Sequence, residues 1–331
     1  MDKGEKDLQK CLRLGTWVIL AALIFRLAGG GYFRGIGNFL RQPDVMAFIL
    51  YLETGRMFRT EPVFLAEPAQ TIPQTEPSPI LPVFTREEGE NLAIRYNCEY
   101  RPDLGALLTE PLSWDLTGEE PTVLILHTHT TESYTKTAEE TYTESGSYRT
   151  LDENANMLSI GAYLAQLLEE GGVGVIQDRT VHDYPSYNGS YAAARETVEE
   201  YLTRYPTIRL VLDLHRDAAE DASGNQIGST VTVEGTEAAQ LMLVMGSDAG
   251  GLSYPNWQEN LALGLKLQAQ LERMAPGICR SMNFCGQRYN QDLCDGALLI
   301  EVGAAGNTRQ QALKAVEMLA KSILILARGS G

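Results

Sequence analysis

From about residue 119 onward, short runs of β-branched and aliphatic residues alternate with amphipathic segments of helical period. No other feature limits the possible folds as tightly. Residues 123–126, 173–176, 208–214, 241–245 and 297–302 read as buried strands. Between them, residues 156–168 place Met157, Ile160, Leu164, Leu167 and Leu168 on one side of a helix that Gly171 and Gly172 stop. Residues 190–205 form a second helix, ended before Pro206, and residues 256–274 a third, closed by Pro276 and Gly277. Asn307 is placed to cap a last helix reaching about Ala327. Strands alternating with helices predict an α/β fold: a largely parallel sheet flanked by helices.

The N-terminal third follows other rules. Lys3, Lys6, Lys10 and Arg13 precede an apolar run from Leu14 that continues to Phe33, interrupted by Arg26. About 20 such residues span a hydrocarbon core, and an arginine near one end can snorkel to the interface. Basic residues before the run predict a cytoplasmic N-terminus and an extracytoplasmic domain on a single-pass membrane anchor. A cleaved signal peptide and a buried core helix are the alternatives. Leu27, Ala28, Gly29 and Gly30 make a poor cleavage site for the former. Between Glu61 and Pro82 six prolines stand among Thr, Gln, Ser and Glu, the composition of an extended linker. The expected organisation is an anchor over 1–34, a juxtamembrane segment and Pro-rich linker over 35–118, and a catalytic domain over 119–331.

A formal charge of −16 on 331 residues repels phosphate backbones, so nucleic acid is not an expected partner. The five cysteines contain no C-x-x-C pair, which argues against a cysteine zinc knuckle. Cys98, Cys279, Cys285 and Cys294 would lie outside the membrane; free thiols and one disulfide remain equally open.

The chemistry concentrates at strand ends. Of only four histidines, His127, His129 and His215 lie just past predicted strands. Side chains there face the crevice where α/β sheets bind ligands. A hydrolytic zinc site needs three ligands from His and Asp or Glu. His215 is the natural partner of His127 or His129, and Glu132 or Glu153 can supply the carboxylate. Glu301 follows four apolar residues, so it should be partly desolvated and must be paired, metal-bound or catalytic. Its catalytic role would be general base; its plain alternative is an acid near a helix N-terminus. Arg216 can bind a peptide carboxylate, and Asp217 can accept an imidazole N–H, unless the two simply pair. His182, Tyr187, Asn188, Tyr191 and Arg195 surround a turn that is either a substrate wall or a structural loop. Asn307, after a small-residue stretch with room for a substrate backbone, joins the substrate-binding candidates.

Four motifs carry a resemblance: L-H-T-H-x-x-E-S-Y from Leu126, H-D-Y-P-S-Y-N-G-x-Y from His182, D-L-H-R-D-A from Asp213 and I-E-V-G-x-x-x-N from Ile300. In this order, from about residue 119 to the end, they resemble the stage II sporulation protein P family. The resemblance implies a branch of the zinc-dependent N-acetylmuramoyl-L-alanine amidases, with a His–Glu–His zinc site and a catalytic Glu. It implies a cell-wall hydrolase of spore-forming bacteria that cuts the muramoyl–L-alanine bond and stem-peptide cross-links. The expected cofactor is Zn2+. The expected partners are peptidoglycan, the membrane, and stage II sporulation proteins D and M during engulfment. His215 matches the second histidine and Glu301 the catalytic Glu. His129 or His127 fills the first position, and Glu153 or Glu132 the carboxylate ligand. A zinc carboxypeptidase built on His129 and Glu132, and an inactive wall-binding scaffold, are the rival functions.

Overall fold

The computed structural model describes residues 81–331. The expected anchor, and the linker up to residue 80, lie outside those residues. Among the described residues no helix is long and apolar enough to cross a membrane.

The elements run α1 (Arg86–Asn91), β1 (Ile94–Asn97), α2 (Leu104–Thr109), β2 (Pro121–Leu126), α3 (Met157–Glu170), β3 (Gly174–Gln177), α4 (Ser190–Arg204) and β4 (Leu210–Asp217). They continue with β5 (Thr230–Val233), β6 (Thr236–Ala239), β7 (Leu241–Met245), α5 (Trp257–Met274), β8 (Met282–Cys285), β9 (Ala297–Ala304) and α6 (Arg309–Leu326). Seven strands form one sheet in the order β1-β8-β7-β9-β4-β2-β3, and β5 and β6 form a separate hairpin. Within the seven-stranded sheet, pairing is parallel except where β7 meets β9. The sheet is therefore two parallel blocks running in opposite directions, joined at β7 and β9.

Sequence dictates which face is dry. Val123, Leu124, Ile125 and Leu126 of β2 are all buried, as a strand covered on both faces must be. On one face Met157, Ile160, Leu164 and Leu168, spaced three or four apart, anchor α3. Its first turn is capped by Asn156, whose side chain accepts from the Leu158 N–H at 3.0 Å. α5 and α6 complete this layer, and one continuous core runs beneath all three helices. On the other face α4 covers a smaller cluster that includes Leu124, Leu126, Val211 and Ala297. Toward β7 and β8, Met242, Val244, Cys285 and Leu299 form a small separate cluster with Tyr289 packed against it. One end of this face is thus roofed by a helix and the other is open.

Three expectations change. The folded domain starts well before residue 119: β1 is hydrogen-bonded to β8, and α1 and α2 pack on α5. The last helix is capped by Thr308, not Asn307; Thr308 and Gln311 form a reciprocal capping box. Strand β4 runs to Asp217, so His215 lies within it and not just past it, while β9 runs to Ala304 and holds Glu301 where the 297–302 strand placed it. The four described cysteines are free thiols.

Candidate active site

In-register neighbours share a face of a sheet, and the registers of β4 and β9 set His215 directly beside Glu301. His129 reaches the same place from the turn after β2. Its ring stands 5.2 Å from that of His215, nearly perpendicular to it. Glu132 closes the group, with Oε2 3.7 Å from His215 Nδ1. These four side chains line a depression of about 370 Å³, together with Tyr187, Tyr191 and Tyr289. Tyr187 stacks on His129 at 4.5 Å, and Tyr191 lies parallel to His215 at 6.4 Å. Tyr187 is 55% exposed, a wall rather than a core residue.

The electrostatics divide the two imidazoles. Burial pushes His129 down to about 3, with His215 and Arg149 adding to the effect. Burial also opposes charge on His215, but Asp213 outweighs it, with Glu132 and Glu301 assisting, and raises His215 to about 10. Asp213 Oδ1 is 3.0 Å from His215 Nε2. The contact is close but out of line with the ring N–H, so Nε2 has no aligned hydrogen bond. Asp213 is fixed by the Thr128 N–H at 2.8 Å and by its hydroxyl at 2.7 Å. Burial raises Glu132 despite Arg216, His215 and Arg149. Burial raises Glu301 to about 8, with Glu132 and Asp217 pushing the same way and His215 opposing. Glu301 Oε2 is enclosed with no hydrogen-bond partner.

These observations test the donors for a metal. Two imidazoles, two desolvated carboxylates and two unpartnered buried polar atoms suit a divalent cation in type and charge. Among the described residues no three His, Cys, Asp or Glu side chains already surround one point as a closed ligand shell does.

The other sequence-derived candidates are engaged elsewhere. His127 lies on the opposite face, with Nδ1 3.0 Å from the Leu214 carbonyl oxygen and Nε2 3.3 Å from Gln177 Nε2. A Cβ on Gly161 of α3 would come within 2.5 Å of its ring, so it is packed under that helix. Glu153 is exposed and pairs with Arg179, away from the depression. His182 bridges the His127 carbonyl at 2.9 Å and the Thr197 hydroxyl at 3.0 Å, which is a structural strut. Arg216 donates to the Ser133 carbonyl at 3.0 Å and the Tyr148 carbonyl at 2.8 Å, so its fork holds the loop after β2. Asp217 accepts from Arg280 at 2.7 Å and not from an imidazole. Asn307 accepts from the Ala304 N–H at 2.9 Å and donates to the Ser229 carbonyl at 3.1 Å. Asn188 is exposed, and its carbonyl accepts from the Ser186 hydroxyl at 3.2 Å.

Sequence reasoning missed Asp213, although D-x-H within a strand places both residues on one face. It also missed Arg149, which pairs with both Asp183 and Glu132 and lies over the Tyr187 ring at 4.9 Å. Ser190 escaped notice too; its hydroxyl is 3.3 Å from His129 Nδ1 and fixes that ring.

Stage II sporulation protein P of Bacillus subtilis (strain 168) is 29% identical over 215 residues, covering 62% of this chain and 50% of that protein. The chain thus spans half the length of that relative. An N-acetylmuramoyl-L-alanine amidase of Nostoc punctiforme is similar in structure, at 12% identity and a TM-score of 0.36, over 63% of this chain and 97% of that one. One from Clostridium difficile 630 gives 15%, 0.37, 63% and 97%. The family model for stage II sporulation protein P matches residues 70–324, most of the chain, and the chain belongs to that family.

Proposed function

We propose that this chain is a zinc-dependent peptidoglycan hydrolase that cuts the muramoyl–L-alanine amide bond. The observation that carries the reading is the convergence of His129, Glu132, His215 and an unpartnered Glu301 on the open half of one sheet face. His129, Glu132 and His215 would hold the metal. Zinc, when bound, supplies Lewis acidity at the scissile carbonyl, acidity to a water, and positive charge that favours the Glu301 carboxylate. Glu301 then accepts a proton from the attacking water and returns it to the leaving amine. Asp213 places negative charge beside the His215 ring, and Ser190 orients His129. Tyr187 and Tyr191 present flat walls on which a sugar or peptide plane can lie. A polymer needs access from the side, which the unroofed β7–β8 end provides.

Family membership supports the substrate class. The basic start and apolar run from Leu14 support an anchor with the domain outside the cell membrane. The same reading includes action beside stage II sporulation proteins D and M, and cleavage of stem-peptide cross-links as a second activity. The deciding experiment is mass spectrometry of purified peptidoglycan digested by the full chain, with and without chelator. Free muramoyl sugars and whole peptides, abolished by chelator, are expected. Released terminal amino acids would mean a carboxypeptidase instead, and no products a scaffold.

A further inference from the structure

One arginine in the depression has no counter-charge among the described residues. Arg95 of β1 is exposed and lines the same depression as His129, His215 and Glu301. Among the described residues it makes no ion pair and no side-chain hydrogen bond. The arginines near the candidate catalytic groups are otherwise committed: Arg149 to Asp183 and Glu132, Arg216 to loop carbonyls, Arg280 to Asp217. What singles out Arg95 is its place: an unpaired guanidinium that lines the same depression as the candidate catalytic groups.

Register shows what stands beside it. Arg95 pairs with Asn283, Asn283 with Val244, Val244 with Leu299, and Leu299 with Asp213. This row crosses five strands on one face, two residues along from His215 and Glu301. Asn283 Oδ1 accepts from Asn97 Nδ2 at 2.6 Å, which leaves the Asn283 amide N–H groups free to donate. Arg95 and Asn283 therefore offer adjacent donors with no acceptor. Val244 of β7 and Leu299 of β9 make an apolar floor between these donors and His215 and Glu301.

We propose that Arg95, with Asn283, is a carboxylate-binding subsite that reads an anionic group on the peptide part of the substrate. The charge pattern fixes the orientation. At the catalytic end the protein's cationic side chains are already paired, Arg149 and Arg216 with Glu132, His215 with Asp213 and Arg280 with Asp217, so among the described residues none of them is left there to hold a carboxylate. The donor end attracts it, so the peptide lies across the sheet with its scissile amide at Glu301 and its acid at Arg95. Strands about 4.8 Å apart put the Arg95 backbone roughly 14 Å from β9. Because the side chain lines the depression, the span left to β9 is roughly two to three extended residues at about 3.4 Å each. Arginine suits this role because its planar fork matches a carboxylate.

The inference rests on the hydrolase reading for the identity of the substrate, and the test keeps the two separate. The full chain and Arg95→Gln are compared on peptidoglycan free of phosphate polymers. The wall is used native, or with its carboxylates converted to carboxamides. On native wall Arg95→Gln should raise KM roughly tenfold or more with kcat little changed, as loss of a charge-assisted pair does. Amidation should impose a similar rise on the wild type and none on Arg95→Gln. Arg95→Lys, which keeps the charge and loses the fork, should fall between. Equal losses for Arg95→Gln on both walls, or none on native wall, would overturn the subsite. Cosedimentation with both walls is measured in parallel. If the wild type turns over neither wall, the hydrolase reading fails. Binding weakened by amidation in the wild type but not in Arg95→Gln then still supports the subsite, and binding indifferent to both overturns it.

Discussion

On one face of the sheet α3, α5 and α6 bury a continuous apolar layer, while on the other α4 roofs only the β2–β4 end. The contrast is concentrated in two histidines two residues apart. His127 continues the alternation of β2 and points into the covered face, where both ring nitrogens meet protein partners. His129 follows a turn that breaks the alternation and carries it to the open face. There it stacks on exposed Tyr187 and faces His215. Burial lowers the pKa of both, to about 4 and about 3. The covered imidazole is spent on holding the fold. The open one keeps Nε2 uncommitted, and that difference separates a strut from a candidate ligand.

The largest effect should come from His215, the residue shared by the carboxylate pair and the proposed metal. His215→Ala should lose both bound zinc and turnover, read by metal content and wall-digestion rate. Retained turnover in a zinc-free protein would break the division between the faces. Next comes Glu301, within β9 and beside His215. Glu301→Gln keeps shape but not basicity. Turnover should fall by roughly 10²–10⁴, the usual worth of general acid–base catalysis, while zinc stays bound. If zinc is lost together with rate, Glu301 is a ligand and not the base.

Much of this contrast was written in the sequence, but not all of it. Continuous apolar runs marked β2, β4, β7 and β9, and small-residue punctuation marked the helix ends. Composition could not show that β7 opposes β9, because either direction buries the same side chains. Nor could it choose between His127 and His129. Strict alternation puts both on one face, and the turn that separates them is held by Thr130 to Thr180 and Thr131 to Asp183, contacts 50 and 52 residues apart in the chain. Arg216 and Asn307 looked like substrate groups because polar residues in small-residue surroundings have few local partners. Their partners come from residues 68 and 78 positions away. The segment holding Arg95 carried no signal, since β1 becomes a strand only by pairing with β8, nearly 200 residues later in the chain.

A smaller effect tests the covered histidine through pH. His127 has an ordinary value near 6.5 in the unfolded chain and about 4 in the fold, where burial disfavours its cation. Between those values the unfolded chain binds a proton that the folded chain does not. Its contribution is therefore complete above about pH 6.5 and is lost as pH falls toward 4, by up to about 1.4 kcal/mol per pH unit. His127→Gln should flatten the acid limb of the stability curve of the metal-free protein by about one proton, measured by denaturant unfolding from pH 7 to 4. An unchanged slope would mean that His127 titrates normally and is not sealed beneath α3.

The smallest effect belongs to Glu153, and it sharpens the comparison by its absence. Sequence position made Glu153 a rival to Glu132 for the carboxylate ligand, because it stands shortly before a helix. Geometry separates the two. Glu132 is 4% exposed and 3.7 Å from His215, whereas the Glu153 side chain is 54% exposed and paired only with Arg179. An exposed pair of this kind contributes about 0–1 kcal/mol, since water screens it and both side chains lose freedom in forming it. Glu153→Gln should therefore change the melting temperature by only a degree or two. Zinc content and wall-digestion rate should stay at wild-type values. Glu132→Gln provides the contrast, because it removes a buried charge from the centre of the open face. Zinc affinity and turnover should drop together there, while Arg149 and Arg216 lose the carboxylate between them. If Glu153→Gln instead loses zinc while Glu132→Gln keeps it, the metal lies at the start of α3, and the open face needs another occupant.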